Sequence, residues 1–214
     1  VIFGFAVLSL LDFFGVIWHN SFFASFYSAK GLDVSHYQGR IDWQKVAKTG
    51  RYEFVYIKAT EGDDFIDDSF ATNWQQAKTS GFRVGAYHFF STRSSGEEQA
   101  HFFIATVPQD AVLPPMIDVE IDTHQNKEVI THELKTLLVQ LENHYHKPPI
   151  LYVTYDTYKS YIEGSFDNDN IWIRDIFKPP TLEGKDWLLW QYNSRGHVDG
   201  INTYVDINVA KSKL

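Results

Sequence analysis

Pro114-Pro115-Met116-Ile117-Asp118-Val119-Glu120-Ile121 decides how the chain is read. A β-strand has a side-chain period of two, so Asp118 and Glu120 point to one face while Ile117, Val119 and Ile121 point to the other. The two Cα atoms lie roughly 6.5–7 Å apart along such a strand, close enough for one carboxylate to disfavour ionisation of the other. A carboxylic acid held protonated near neutral pH in this way serves as a general acid. Asp-x-Glu also occurs on solvated strands. The branched apolar residues between and beside the acids favour a strand covered on one side by helices.

Working outward, strand-like and helical segments alternate. Strand patterns at 31–35, 53–59, 83–90, 114–121 and 149–153 are each followed by a helical one, at 42–48, 69–80, 95–106, 127–145 and 157–162. Asp42 is placed to cap its helix, Gly81 to stop one, and Leu134, Leu137, Leu138 and Leu141 form the apolar stripe of the longest. Five such repeats predict an α/β parallel barrel. The last fifty residues or so differ: strands at 171–176, 187–192 and 205–208 are separated by Pro179-Pro180, Gly184, Gly196 and Gly200 rather than by helices.

At 214 residues, with 44% hydrophobic and 16% aromatic content, the chain suits one globular domain with or without a terminal appendage. A net charge of −8 argues against nucleic acid as a partner, and the lack of cysteine removes disulfides and thiolate metal sites. The first eighteen residues contain no basic residue and one acid, Asp12. That length is at the lower limit for a bilayer span, where a central Asp costs ~2.5–3.5 kcal/mol. Residues 1–30 are therefore expected to be a hydrophobic anchor or signal remnant plus connector, with possible membrane anchoring through 1–18, and 31–214 the barrel; an amphipathic helix docked on the domain is the other reading.

Functional side chains of such barrels sit at the C-terminal ends of strands. Those ends hold Asp33, Ser35, Lys58, Glu61, Tyr87, His88, Asp118, Glu120, Tyr152, Tyr155, Trp172, Arg174, Trp190, Gln191 and Asp206. Carboxylates mixed with aromatic rings fit a carbohydrate cleft, where rings stack on sugars and acids cleave.

Gly31-Leu-Asp-Val-Ser-His-Tyr-Gln-Gly39, Ile41-Asp-Trp43, Tyr56-Ile-Lys-Ala-Thr-Glu-Gly62, Gly85-Ala-Tyr-His-Phe89, Asp118-Val-Glu120, Trp190-Gln-Tyr192, Val198-Asp-Gly200 and Val205-Asp-Ile-Asn208 together resemble the family 25 glycoside hydrolases, the Chalaropsis-type muramidases. The motifs run from about Gly31 to Val209 in the family's order. The resemblance implies an irregular TIM-like barrel of five β/α units plus three further β-strands. It implies a lysozyme cleaving the β-1,4 bond between N-acetylmuramic acid and N-acetylglucosamine in peptidoglycan glycan strands. Glu120 then matches the general acid, Asp118 its assisting partner, and Asp33 and Asp206 two further acids. Tyr87 matches a substrate contact, and Tyr152, Trp172, Trp190 and Gln191 fall in cleft-lining segments. Arg174 stands where much of the family has a small residue; it either meets a substrate carboxylate or forms a structural ion pair, with Asp175 or another acid nearby. A monomer acting outside the cytoplasm, without metal or cofactor, is the corresponding expectation.

Competing readings are a family 18 chitinase-like glycosidase, whose pattern has Asp where this chain has Met116, and a non-catalytic wall-binding module, disfavoured by the presence of all four acids. Thr131-His-Glu-Leu-Lys-Thr136 lacks the second His of a zinc-protease helix, His88 is read as structural, and Asp63, Asp64, Asp67 and Asp68 as a solvated loop.

Overall fold

In the computed structural model, which describes residues 4, 10–13, 17–212 and 214, eight strands close into a barrel. They are β1 (Ala29–Val34), β2 (Phe54–Glu61), β4 (Arg83–Phe89), β5 (Met116–Val119), β6 (Ile150–Val153), β7 (Asn170–Arg174), β8 (Leu189–Gly196) and β9 (Val205–Ala210), while β3 (Phe65–Ile66) hairpins onto β2. Neighbours pair in parallel except around β9, which is antiparallel to both β8 and β1. The helices are α1 (Ser21–Ala24), α2 (Trp43–Lys48), α3 (Phe70–Thr79), α4 (Gly96–Thr106), α5 (Lys127–Tyr145) and α6 (Tyr155–Thr157), the last running into a π-turn over Tyr158–Ile162. Five β/α units and three further strands are thus present, as the motifs implied.

Local chemistry explains the boundaries. Asp42, Ser95 and Asn126 each accept a backbone N–H of the first turn of α2, α4 and α5, which satisfies donors that a helix start leaves free. Strand alternation divides the apolar residues in two. Ile57, Val84, Ile117, Leu151 and Ile173 face outward to the helices, in a cluster with Leu134, Leu137 and Leu141 of α5. Phe54, Tyr56, Met116, Ile150, Trp172 and Leu189 face inward and fill the barrel. The inward set fits because glycines oppose the largest rings. Gly31 pairs with Phe54 and Gly85 with Tyr56, and a Cβ at those glycines would lie 2.2 Å and 2.5 Å from the opposing ring atoms.

The outer faces of β7–β9 have no helix of their own, and residues 18–27 cover them. Trp18 and Tyr27 pack on the outer cluster that holds Trp190 and Tyr192. The Trp18 indole donates to the Tyr192 carbonyl, Asn20 donates to the Asp175 carbonyl at 3.4 Å, and the Tyr27 ring lies 5.3 Å from Trp187. The segment read as a connector therefore contains α1 and the start of β1, and a boundary at residue 30 falls inside a strand. The expected membrane span over 1–18 lies mostly outside the described residues, among which no helix is long and apolar enough to cross a membrane.

Candidate active site

The four acids meet at the C-terminal mouth of the barrel. Asp33 of β1 is in register with Asp206 of β9. Asp118 lies between Phe89 and Tyr152 on the adjacent strands, and Glu120 follows the last residue of β5. Asp118 is 8% exposed, whereas Glu120 opens to solvent at the rim. One Asp118 oxygen, Oδ1, is buried with no hydrogen-bond partner among the described residues.

Burial and mutual repulsion push these carboxyls up. Asp118 is raised well above the ordinary carboxylate range by burial, then by Glu120 and Asp33, with the Lys58 charge opposing. Asp33 is raised by burial and by Asp206, and Asp206 is pushed up to about 6, chiefly by burial. Glu120 is also raised: protein crowds its carboxyl on the barrel side although the other side is wet, and Arg174 opposes the shift. In such a cluster each charge disfavours the next, so the carboxyls release their protons at higher pH than isolated ones.

Two side-chain relays hold the β1/β9 pair. The Trp172 indole donates to Asn208 Oδ1 at 3.1 Å, which turns Asn208 Nδ2 to Asp33 Oδ2 at 2.7 Å. The Tyr152 hydroxyl donates to Gln191 Oε1, which leaves the Gln191 amide nitrogen to hydrogen-bond Asp206. Each aromatic donor sets the orientation of an amide, and each amide presents N–H to a carboxylate. Tyr87, 8% exposed, sits among Asp33, Asp118 and Asp206, and their charges together with burial raise its hydroxyl.

Several expected contacts are placed elsewhere. Trp190 alternates with Gln191, so it points out of the barrel: it is 0% exposed in the outer cluster and donates to the Asp175 carbonyl at 2.7 Å. It does not line the cleft. Trp172 points inward but lies below the mouth, fully buried behind Asn208. Arg174 faces the cleft acids, lowering Asp33, Glu120 and Asp206. A structural pair with Asp175 is not formed, because the next residue points the other way; Asp175 instead accepts from Tyr155 Oη at 2.9 Å and from the Phe177 and Lys178 amides.

One participant, Asn208, escapes the sequence reading, and Lys58 figures there only as a strand-end residue. Asn208 shares a face with Asp206 by the same period of two, yet an amide carries no charge to draw notice. Lys58 alternates inward after Phe54 and Tyr56; its ammonium is nearly buried, 2.8 Å from Glu61 Oε2 and 4.9 Å from the Phe89 ring centre. His88 is structural. Its Nδ1 meets Thr60 Oγ1 at 2.7 Å and its Nε2 meets Gln99 Oε1 at 2.9 Å, and burial pushes it down to about 4. Asp67 of the acidic loop is not solvated: it is 2% exposed and binds the His36 ring at 2.7 Å.

Comparison with known proteins agrees with this geometry. The profile described as Glycosyl hydrolases family 25 matches residues 32–201. Protein YegX of Escherichia coli K12, itself uncharacterized, is 37% identical over 189 residues, covering 86% of this chain and 70% of that protein. Lysozyme M1 of Streptomyces globisporus is 31% identical over 199 residues, covering 84% of this chain and 66% of that enzyme. The structure of a family 25 glycosyl hydrolase from Bacillus anthracis superposes with a TM-score of 0.83 at 41% identity, covering 88% of this chain and 91% of that one. With a match across the cleft-bearing strands and a barrel of the same architecture, the chain belongs to glycosyl hydrolase family 25.

Proposed function

We infer that this enzyme is a lysozyme-type peptidoglycan hydrolase cleaving the β-1,4 bond from N-acetylmuramic acid to N-acetylglucosamine, outside the cytoplasmic membrane where that polymer lies. The unpartnered Asp118 Oδ1 beside the raised carboxyl of Glu120 carries the assignment of roles. A buried oxygen without a donor costs ~1–3 kcal/mol. The 2-acetamido N–H of a bound muramic acid supplies that donor. Accepting it favours ionised Asp118, and the nearby negative charge keeps the proton on Glu120.

The reaction then proceeds in two steps. The acetamide oxygen attacks C1 as Glu120 gives its proton to the departing glycosidic oxygen, so the C1–O bond breaks and an oxazolinium ion forms with its N–H on Asp118. Glu120, now a carboxylate, takes a proton from water, whose oxygen adds to C1 and reopens the ring with net retention. Asp33 and Asp206, held by Asn208 and Gln191, line the opposite wall, Tyr87 stands on the strand next to that of Asp118, and Arg174 pairs with a lactyl or peptide carboxylate of the substrate.

Mass spectrometry of fragments released from peptidoglycan tests the bond: reducing-terminal muramic acid supports the assignment and reducing-terminal glucosamine overturns it. NMR of the first-formed anomer tests the pathway. An inverted product removes the acetamide from its role.

A further inference from the structure

The N-terminal segment that covers β7–β9 turns a row of aromatic rings to the outside. Phe22, Phe23 and Phe26 are 65%, 44% and 72% exposed, and their rings touch, with Phe22 centred 5.5 Å from Phe23 and 5.3 Å from Phe26. Ile17 and Phe13 on the same segment are 43% and 58% exposed. Phe177, 79% exposed, joins them through the His19 ring, whose Nε2 meets the Phe177 carbonyl at 3.0 Å. A soluble face rarely gathers this much aromatic surface unless something apolar meets it.

Three observations say what does. Residues 20–29 carry no charged side chain, so the stretch presents no ion to desolvate on transfer from water to lipid. They follow, after His19, an eighteen-residue run without a basic residue. The one acid of that run, Asp12, is paired with the His19 ring at 3.0 Å. The segment is also fixed to the barrel: besides the Trp18, Asn20 and Tyr27 contacts, the Arg195 guanidinium stacks 4.5 Å from the Phe13 ring centre and donates to the Phe13 carbonyl. A second copy is disfavoured as the covering partner, since pairing would bring together two molecules of charge −8.

We propose that this face is a lipid-binding surface: the ring cluster Phe22, Phe23 and Phe26 enters the interfacial layer of a bilayer and holds the barrel against it, rather than leaving the barrel on a free tether. Only Asp175 and Ile176 separate Arg174 at the cleft from Phe177 at this face, so the β7 side of the cleft lies next to the membrane.

The chain has no cysteine, which makes single-site labelling clean. The full chain with Phe26→Cys, carrying an environment-sensitive fluorophore, is mixed with phosphatidylcholine vesicles; Val139→Cys on α5, 57% exposed at the parent residue, is the control. The label at 26 is expected to shift to the blue and be quenched about twofold by spin-labelled lipid, as for a group roughly 5–10 Å into the headgroup boundary, with little dependence on salt. The label at 139 stays in water. Co-flotation with an unshifted label at 26 means a tether alone and overturns the proposal, as does failure to float. A shift that needs only high protein concentration means a second copy and overturns it too. The triple variant F22S/F23S/F26S loses the lipid-dependent quenching measured from a cysteine at Ile17, while its turnover of soluble glycan fragments stays at the parent rate, so lipid contact and catalysis are read separately.

Discussion

The two acid pairs that share the cleft are built differently. Asp33 and Asp206 sit on neighbouring strands, and each carboxylate faces an amide whose orientation an aromatic donor sets. Asp118 and Glu120 share one strand end; the first has an oxygen without a donor and the second opens to solvent. One pair is satisfied by the protein; the other, in the mechanism we propose, is left for the substrate. A buried acceptor left unpaired calls for an explanation, and at the mouth of a cleft a donor on the ligand supplies one.

The contrast breaks most readily at Glu120. Glu120→Gln keeps the shape and removes the proton, and wall-clearing by turbidity is expected to fall about 10³-fold, with far-UV circular dichroism unchanged. Parent-like clearing would remove Glu120 from its role. Asp118→Asn comes next: its new N–H faces the acetamide N–H instead of accepting from it, and kcat is expected to drop about 10²-fold with a smaller effect on KM. If Asp33→Asn proved the more damaging of the two, the division between a substrate-facing pair and a protein-held pair would be reversed.

Asn208→Leu sharpens the comparison from the other side. The amide lowers Asp33, so its loss raises that group further and moves the acid-side limb of the pH–rate profile to higher pH, with about a tenfold loss of rate at neutrality for a buried carboxylate deprived of its donor. Trp172→Phe keeps an aromatic ring but removes the indole N–H, frees the Asn208 amide to rotate and should show a weaker form of the same shift. The smallest effect is on stability. The Asp206 carboxyl is raised to about 6, so its contribution to the fold is full below the unfolded value near 4 and is lost as pH rises through 6. Asp206→Asn should therefore raise Tm above pH 6, by on the order of 1–2 kcal/mol or a few degrees, and change nothing at pH 3. His88, pushed down to about 4, works in the opposite direction: its contribution is present above about 6.5 and lost as pH falls through 4.

The barrel and the acids could be read from the chain because a period of two and a period of 3.6 both leave marks in the order of residues. The same alternation that puts Gln191 in the cleft sends Trp190 outward. The motif carried both residues into one expectation, and strand geometry separates them. Depth is less visible. Trp172 points inward as expected, yet it is fully buried behind Asn208, and that depth depends on pairing across distant segments. The covering role of residues 18–27 had a trace in the sequence: three strands with apolar outward faces and no helices between them require another cover, and the aromatic segment before β1 provides it.

The ring-packed interior beneath the acids has a consequence for how a polymer is handled. Phe54, Tyr56 and Trp172 interlock, with Tyr56 and Trp172 centred 5.0 Å apart, and Gly31 and Gly85 let them close on one another. The cup is therefore blind. No strand can be threaded along its axis; it has to be laid crosswise over the mouth. A hydrolase of this shape takes its polymer from the side, so the loops around the mouth, not the bore, set how much of the strand it holds.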